Sequence, residues 1–258
     1  MTPRMHLYVL ASGSKGNAAV VEGPTGSVLV DCGLSRRELH RRAELVSCDL
    51  SRVCAILVTH EHSDHTSGLS VLANHFDGPI YATEGTATAR AHLGRLSLTH
   101  VSHSCTLQLG GMDIQAFPTS HDVRDPMCFR FEVREQGQLA DAIAWATDTG
   151  YLTDPALRAL RGCRVLGIEA NHDPHMLATG PYPPFLKARV GGNSGHLSNV
   201  QAAEALPQLL TDQTETVVAM HISEKNNLPE LAAEALEQAV AGRANVVLGS
   251  QTEPLVVW

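Results

Sequence analysis

The sequence predicts an α/β protein whose two sheets are covered by helices, and three observations carry that prediction. The first half reads chiefly as short apolar strands separated by Gly-containing turns, whereas the second half alternates apolar strands with helical stretches. Elements in that order pack as layers of sheet and helix. Apolar residues make up 43% of the 258, enough to fill a sizeable core without disulfide staples. The third observation is local. The apolar run 53–58 ends directly in Thr59-His60-Glu61-His62-Ser63-Asp64-His65, so a buried strand delivers three imidazoles and the Asp64 carboxylate to its end.

Taken in order, residues 6–11 and 18–22 read as strands joined by Ser12-Gly13-Ser14-Lys15-Gly16-Asn17. That connection is either a plain hairpin turn or an anion-holding loop of backbone N–H groups, with Ser12, Ser14 and Asn17 bordering a substrate. A strand over 27–31 ends in Asp31, which is either a turn former or a carboxylate that orients a ligand histidine. Ser35 with Glu38 forms a capping box for a helix through about Val46. After the His-rich motif, a helix is expected over 68–75, a strand over 79–82 and a helix over 85–93. Short strands follow over 98–119, broken by Gly110-Gly111, and then paired strands over 127–134 and 139–147. A helix over 153–161 leads to the strand 165–168. Residues 174–195, rich in Pro and Gly, read as irregular or only partly helical. Ser198 with Gln201 makes a second capping box, before a helix over 199–210. A strand over 216–220 ends at His221, a helix covers 229–241, and two strands close the chain within 244–257. With no linker, low-complexity tract or fixed-period repeat, residues 1–258 read as one domain.

The formal net charge is −8, which excludes a uniformly basic nucleic-acid binder but not a local basic patch. The six cysteines are scattered with no C-x-x-C pair, which suits reduced thiols in a cytoplasm. No segment approaches a transmembrane span, and the first six residues lack the build of a signal peptide. The expected location is cytoplasmic, with no membrane association and no protein partner identifiable.

Neutral imidazole and carboxylate suit zinc, manganese or iron, so residues 60–65 are a candidate metal site. His121, Asp148 and His221 stand at further apparent strand ends. His196 immediately precedes the capped helix at 198, whose N-terminal N–H groups and dipole favour an anion. His172 is divided between a cleft position and a plain loop.

The H-x-H-x-D-H pattern of residues 60–65 resembles the metallo-β-lactamase superfamily. With residues 10–17, 30–33, 169–173, 195–199 and 221–227, the chain resembles its YycJ/WalJ group, which is similar to the ribonuclease Z and phosphonate-pathway phosphodiesterase branches. The resemblance implies an αβ/βα four-layer sandwich and two divalent metal ions. His60, His62 and His121 would hold one ion, Asp64, His65 and His221 the other, with Asp148 bridging. Two dications about 3.5–4 Å apart share a water, lower its pKa and aim the hydroxide. The resemblance further implies a phosphodiesterase, specifically a 5′-to-3′ DNA exonuclease. His196 would contact phosphate or act as general acid, with Asp64 and Asp148 completing the catalytic set. The alternatives are a small cyclic-phosphodiester hydrolase, a thioester or β-lactam hydrolase on the same metals, and a metal-bound scaffold without turnover. Against the acidic net charge, the helix opened by Ser35 carries Arg36, Arg37, Arg41 and Arg42. Leu39, Ala43 and Val46 define its buried face, so Arg37 and Arg41 lie together on the solvent face. That face is either a solvated one, with Glu44 offsetting Arg41 and Glu38 offsetting Arg42, or a contact to a DNA backbone, and Arg37 and Arg41 are expected to make that contact.

Overall fold

A computed structural model describes residues 4–258, so the first three residues, part of the stretch read for a leader, lie outside the described chain. The first half supplies strands β1 (His6–Ala11), β2 (Ala18–Glu22) and β3 (Ser27–Val30), helix α1 (Arg36–Leu45) and strand β4 (Val53–Leu57). Helices α2 (Ser63–Thr66) and α3 (Leu69–Ala73), strand β5 (Ile80–Ala82), helix α4 (Glu84–Ala89) and strand β6 (Leu98–His100) follow. Strands β7 (Thr106–Leu109), β8 (Met112–Pro118), β9 (Met127–Glu135) and β10 (Gln138–Ala146) begin the second sheet. The chain continues through α5 (Asp154–Leu160), β11 (Val165–Glu169), α6 (Pro174–Thr179), α7 (Pro184–Val190), α8 (Asn199–Leu209) and β12 (Thr216–Met220). It ends in α9 (Pro229–Val240), β13 (Asn245–Leu248) and β14 (Leu255–Val257).

The sheets have seven strands each, in the orders β14-β1-β2-β3-β4-β5-β6 and β13-β12-β11-β10-β9-β8-β7. Each is antiparallel in one part and parallel in the other, changing at β3–β4 in the first sheet and at β10–β11 in the second. The two closing strands divide between them, β13 beside β12 and β14 antiparallel to β1.

Side-chain alternation shows why the strands read as near-continuous apolar runs. Leu7, Val9, Val28 and Val30 point into the core between the sheets, against Phe129, Phe131, Trp145 and Val218. Their neighbours Tyr8, Leu10 and Leu29 pack outward with Leu39 and Ala43 of α1 and Leu69 of α3. In β10, Ile143 and Trp145 face the first sheet while Ala142, Ala144 and Ala146 face α5, α8 and α9. Both faces of each sheet are covered, and strands in that position lose the polar half of their alternation. The layers are helix, sheet, sheet, helix: the four-layer sandwich expected.

Local departures have identifiable causes. Helix α2 begins inside the His-rich motif with His62 at its N-cap, and four residues are too few for a periodic signal. The Ser35 capping box is half made: Ser35 Oγ accepts from Glu38 N, but the Glu38 carboxylate turns to Arg41 and Arg42 at 2.6–2.9 Å. Charge-assisted bonds to two guanidiniums outweigh one bond to a backbone N–H. Glu44 is therefore not the partner of Arg41. The box at Ser198 and Gln201 is complete. Residues 174–195 hold two short helices, each with Pro in its first turn.

Candidate metal centre

The parallel strands end on one edge of the molecule, where an open α/β sheet places its ligands. Three residues just past strand ends, Asp31, Asp148 and His221, have φ of 60°, 54° and 55°. A left-handed conformation costs a non-glycine residue on the order of 1–3 kcal/mol. It persists here because the surrounding bonds fix it. Asp31 accepts from Thr59 N and Thr59 Oγ1, both at 2.8 Å, and from His65 Nδ1 at 2.7 Å. Of its two sequence readings, the one that orients a histidine is the one realised. The motif's backbone is fastened by Cys32 N, next to Asp31, donating to His65 O, and by Asn17 N, in the loop before β2, donating to Asp64 O. Gly33 is obligatory at this crossing, since a Cβ would lie 1.6 Å from Asp64 O.

The structure brings all seven predicted ligand residues together. Nitrogens of His60, His62 and His121 lie within 4.8 Å of one another, as do donor atoms of Asp64, His65 and His221. Asp148 stands between the groups, Oδ2 at 3.3 Å from His65 Nε2 and Oδ1 at 3.7 Å from His121 Nε2. A third close set is Asp148, Glu169, His196 and His221.

Whether these residues fit metal ions is tested by where their lone pairs point. His65 Nδ1 donates to Asp31, His121 Nδ1 to Gly195 O at 3.0 Å, and His221 Nδ1 to Glu169 Oε1 at 3.0 Å. With the outer nitrogen donating, the inner nitrogen of a neutral ring is a bare acceptor. His121 Nε2 then faces His62 Nδ1 at 3.2 Å, and His65 Nε2 faces the carboxylates of Asp64 and Asp148. His60 Nε2 and His221 Nε2 are buried without a partner among the described residues. Buried ring nitrogens without such a partner, set among carboxylates, suit a cation in their midst, so the residues fit.

The electrostatics agree. At His65 and His221, burial would lower the pKa but is outweighed by carboxylates, Asp148 foremost, and His221 is pushed up to about 10. At Asp148, burial is outweighed by His221 and His65, which hold its carboxyl well below the usual range. The buried carboxylates stabilise positive charge in their midst.

Around this cluster the loops take up other duties than the sequence suggested. Ser12 is buried and its Oγ accepts from His221 N. Asn17 Nδ2 lies 3.0 Å from His65 Nε2 and 3.3 Å from Asp64 Oδ2. Ser14 alone of the three is exposed, beside the Lys15–Glu224 ion pair. The start of α8 is not a free anion site: Asn199 N donates to His172 O and Gln201 N to Ser198 Oγ. His196 itself reaches the cluster, its ring 5.0 Å from that of His121 and 5.1 Å from that of His221.

The functional residue that sequence reasoning did not single out is Glu169. Fully buried at the end of β11, it accepts from His196 Nδ1 at 2.7 Å, His221 Nδ1 at 3.0 Å, Thr149 N at 2.9 Å and Leu197 N at 3.3 Å. Burial, which raises its pKa, is outweighed by His196 and His221, leaving it at about 2. Its signal, a carboxylate closing an apolar strand, is the same as that of Asp31.

His172 is buried, 4% exposed, and its Nδ1 has no partner among the described residues. Burial pushes its pKa from 6.5 down to about 4. Above pH 6.5 the ring is neutral whether folded or not. As pH falls from 6.5 towards 4, only the unfolded chain takes up the proton, so stability drops, by up to about 3 kcal/mol. His172→Gln is expected to remove that share of the acid loss. Denaturant unfolding of chelator-treated wild type and variant at pH 7.5 and 4.5 measures it, and parallel losses in both would refute it.

The family described as "Beta-lactamase superfamily domain" matches residues 27–222. Over 240 residues the chain is 36% identical to exodeoxyribonuclease YycJ of Bacillus anthracis, covering 92% of this chain and 89% of that protein. Over 230 residues it is 36% identical to exodeoxyribonuclease WalJ of Streptococcus pneumoniae, covering 87% and 84%. The metallo-beta-lactamase fold protein YhfI from Bacillus subtilis superposes with a TM-score of 0.71 at 15% identity, over 98% and 99% of the two chains.

Proposed function

The chain belongs to the metallo-β-lactamase superfamily, and from that premise we propose that residues 1–258 act as one hydrolase domain, a dinuclear phosphodiesterase that degrades DNA from its 5′ end. The observation that carries the reading is Asp148, which presents one oxygen to each of two imidazole groups. A single-metal site has no use for a carboxylate so placed. That the relatives are exodeoxyribonucleases by name supports DNA as the substrate.

In this reading His60, His62 and His121 would hold one ion and Asp64, His65 and His221 another, with Asp148 placed between the two groups. Zinc, manganese and iron all suit that donor set. The ions supply Lewis acidity, offsetting charge on phosphoryl oxygens and making a water more acidic. The protein's own share of the chemistry falls to His196 and its support. Glu169 takes the Nδ1 proton of His196 in a hydrogen bond and leaves Nε2 directed away from the buried carboxylate. With both ring nitrogens protonated, Nε2 gives its proton to the leaving oxygen as the phosphorus–oxygen bond breaks. Ser12, Asn17 and His172 support the centre from behind, and Ser14 and His196 meet the substrate. The free thiols of all six cysteines suit the proposed cytoplasmic setting. Among the described residues no helix is long and apolar enough to cross a membrane.

The test is the metal-loaded protein on 5′- and 3′-end-labelled duplex and single-stranded DNA, with bis-p-nitrophenyl phosphate alongside. Mononucleotides released progressively from the 5′ end are expected. Turnover of the small diester without any on DNA would favour the small-molecule reading instead.

Arg37 and Arg41 remain proposed contacts to the DNA backbone, on unequal terms. Arg37 is exposed and in no ion pair among the described residues, whereas Arg41 is held twice by Glu38. Replacing both with Ala is expected to flatten the salt dependence of duplex binding by up to about two phosphate contacts, mostly through Arg37. Hydrolysis of the small diester should not change. An unchanged salt slope would reduce this face to a solvated one.

A further inference from the structure

Seven large apolar side chains stand exposed among the described residues, and Phe185, at 74%, is the most exposed. Its helix, α7, borders the ligand cluster. Arg189, one turn further along that helix, is paired with Asp122. The Oδ1 of Asp122 lies 3.6 Å from His121 Nε2 and 3.9 Å from His62 Nε2. Side chains four residues apart on a helix stand about 6 Å from one another. The phenyl ring is thus one turn along the rim from a guanidinium that already touches the surroundings of the proposed metal ligands. The loop after α7 supplies the carbonyl of Gly195 that holds His121, and Val190 O accepts from His196 N.

This helix is set in place before any ligand arrives. Pro183 and Pro184 fix its first turn, Lys187 Nζ donates to Ala178 O at 2.6 Å, and Gly195 must be glycine because a Cβ there would lie 2.2 Å from the carbonyls of Arg189 and Val190. Leu186, Lys187 and Val190 make the half-buried face, so packing among the described residues leaves the phenyl uncovered. A rigidly mounted aromatic ring, with a cation on one side and a phosphate-cleaving cluster beyond it, matches a flat base attached to a phosphate.

We propose that Phe185 is a stacking platform for a nucleobase of the strand whose phosphate reaches the cluster, a role resting on the phosphodiesterase reading above. Stacking on an aromatic side chain contributes about five- to a hundredfold in affinity per base, and every base has a face to offer. The platform therefore grips a strand without selecting its sequence.

The test compares binding of dAMP and of 2′-deoxyribose 5-phosphate to the metal-loaded protein by calorimetry. Wild type is expected to prefer the nucleotide. Phe185→Ala should lose about five- to a hundredfold in dAMP affinity and keep its affinity for the sugar phosphate, while Phe185→Trp keeps the preference. Metal content and thermal midpoint confirm that the variants fold. Equal weakening of both ligands, or a dAMP affinity that does not change, overturns the platform. If wild type degrades DNA yet does not distinguish the two ligands, the platform falls and the exonuclease reading stands. If the preference exists and Phe185→Ala abolishes it, but no DNA is degraded, the reverse holds.

Discussion

His196→Ala is expected to lower turnover about a hundredfold or more while the metal content of the protein stays as it is in wild type. The ring is partly open, 18% of its side chain exposed, and its one strong bond is to Glu169 at 2.7 Å. The proposed mechanism therefore makes it a proton donor on the open side of the cluster rather than a ligand within it. Glu169 allows a sharper version of the test because it holds the two histidines to which different roles are proposed. Glu169→Gln keeps the shape but loses the charge that orients His196 and His221. It is expected to lower turnover comparably and also to weaken metal binding by roughly 10–100-fold, the usual effect of losing an outer partner of a metal ligand. Residues that act as a unit do not add. The double variant should therefore be little slower than the worse single one. Single-turnover rates and elemental analysis on the three proteins decide it. If His196→Ala releases a metal, or leaves the rate unchanged, the histidine has been misassigned.

Residues 60–65 were legible because several ligand-type side chains crowd one short stretch, which chance rarely arranges. His121, Asp148 and His221 were legible only in company, as strand-end residues in the order the family resemblance supplied. Glu169 escaped because a single carboxylate at a strand end carries no sign of its partners, and those lie on two other loops, 27 and 52 residues away along the chain. Ser12 and Asn17 show the converse. A Gly-rich loop suggested a cradle for substrate, yet their side chains turn inward to His221, Asp64 and His65. Local sequence fixes that a loop is polar and tightly turned, but which way it faces depends on a strand paired from elsewhere. The first capping box failed for a related reason. Glu38 had three claimants, and only the folded helix brings Arg41 and Arg42 closer to its carboxylate than the Ser35 backbone.

The largest effect is expected at Asp148. The residue is 2% exposed, and its carboxylate lies 3.3 Å from His65, 3.7 Å from His121 and 3.6 Å from His221. No other carboxylate among the described residues approaches both proposed ligand groups so closely. Asp148→Ala leaves those imidazoles without the negative charge they share, and adds strain because alanine tolerates the φ of 54° poorly. Asp148→Asn separates the two effects. Asparagine is the same size, adopts the left-handed conformation readily and lacks only the charge. Both variants are expected to bind fewer than two ions per chain and to lose turnover by at least about a hundredfold. Their affinity for metal should fall by more than the roughly 10–100-fold that an outer partner is worth. If Asp148→Asn matches Asp148→Ala, the charge is what matters and strain is secondary. The measurements are metal per chain by elemental analysis and hydrolysis of labelled DNA on the same preparation. Active wild type containing a single ion, or Asp148→Asn retaining two ions and full turnover, would remove the bridging role and with it the dinuclear mechanism.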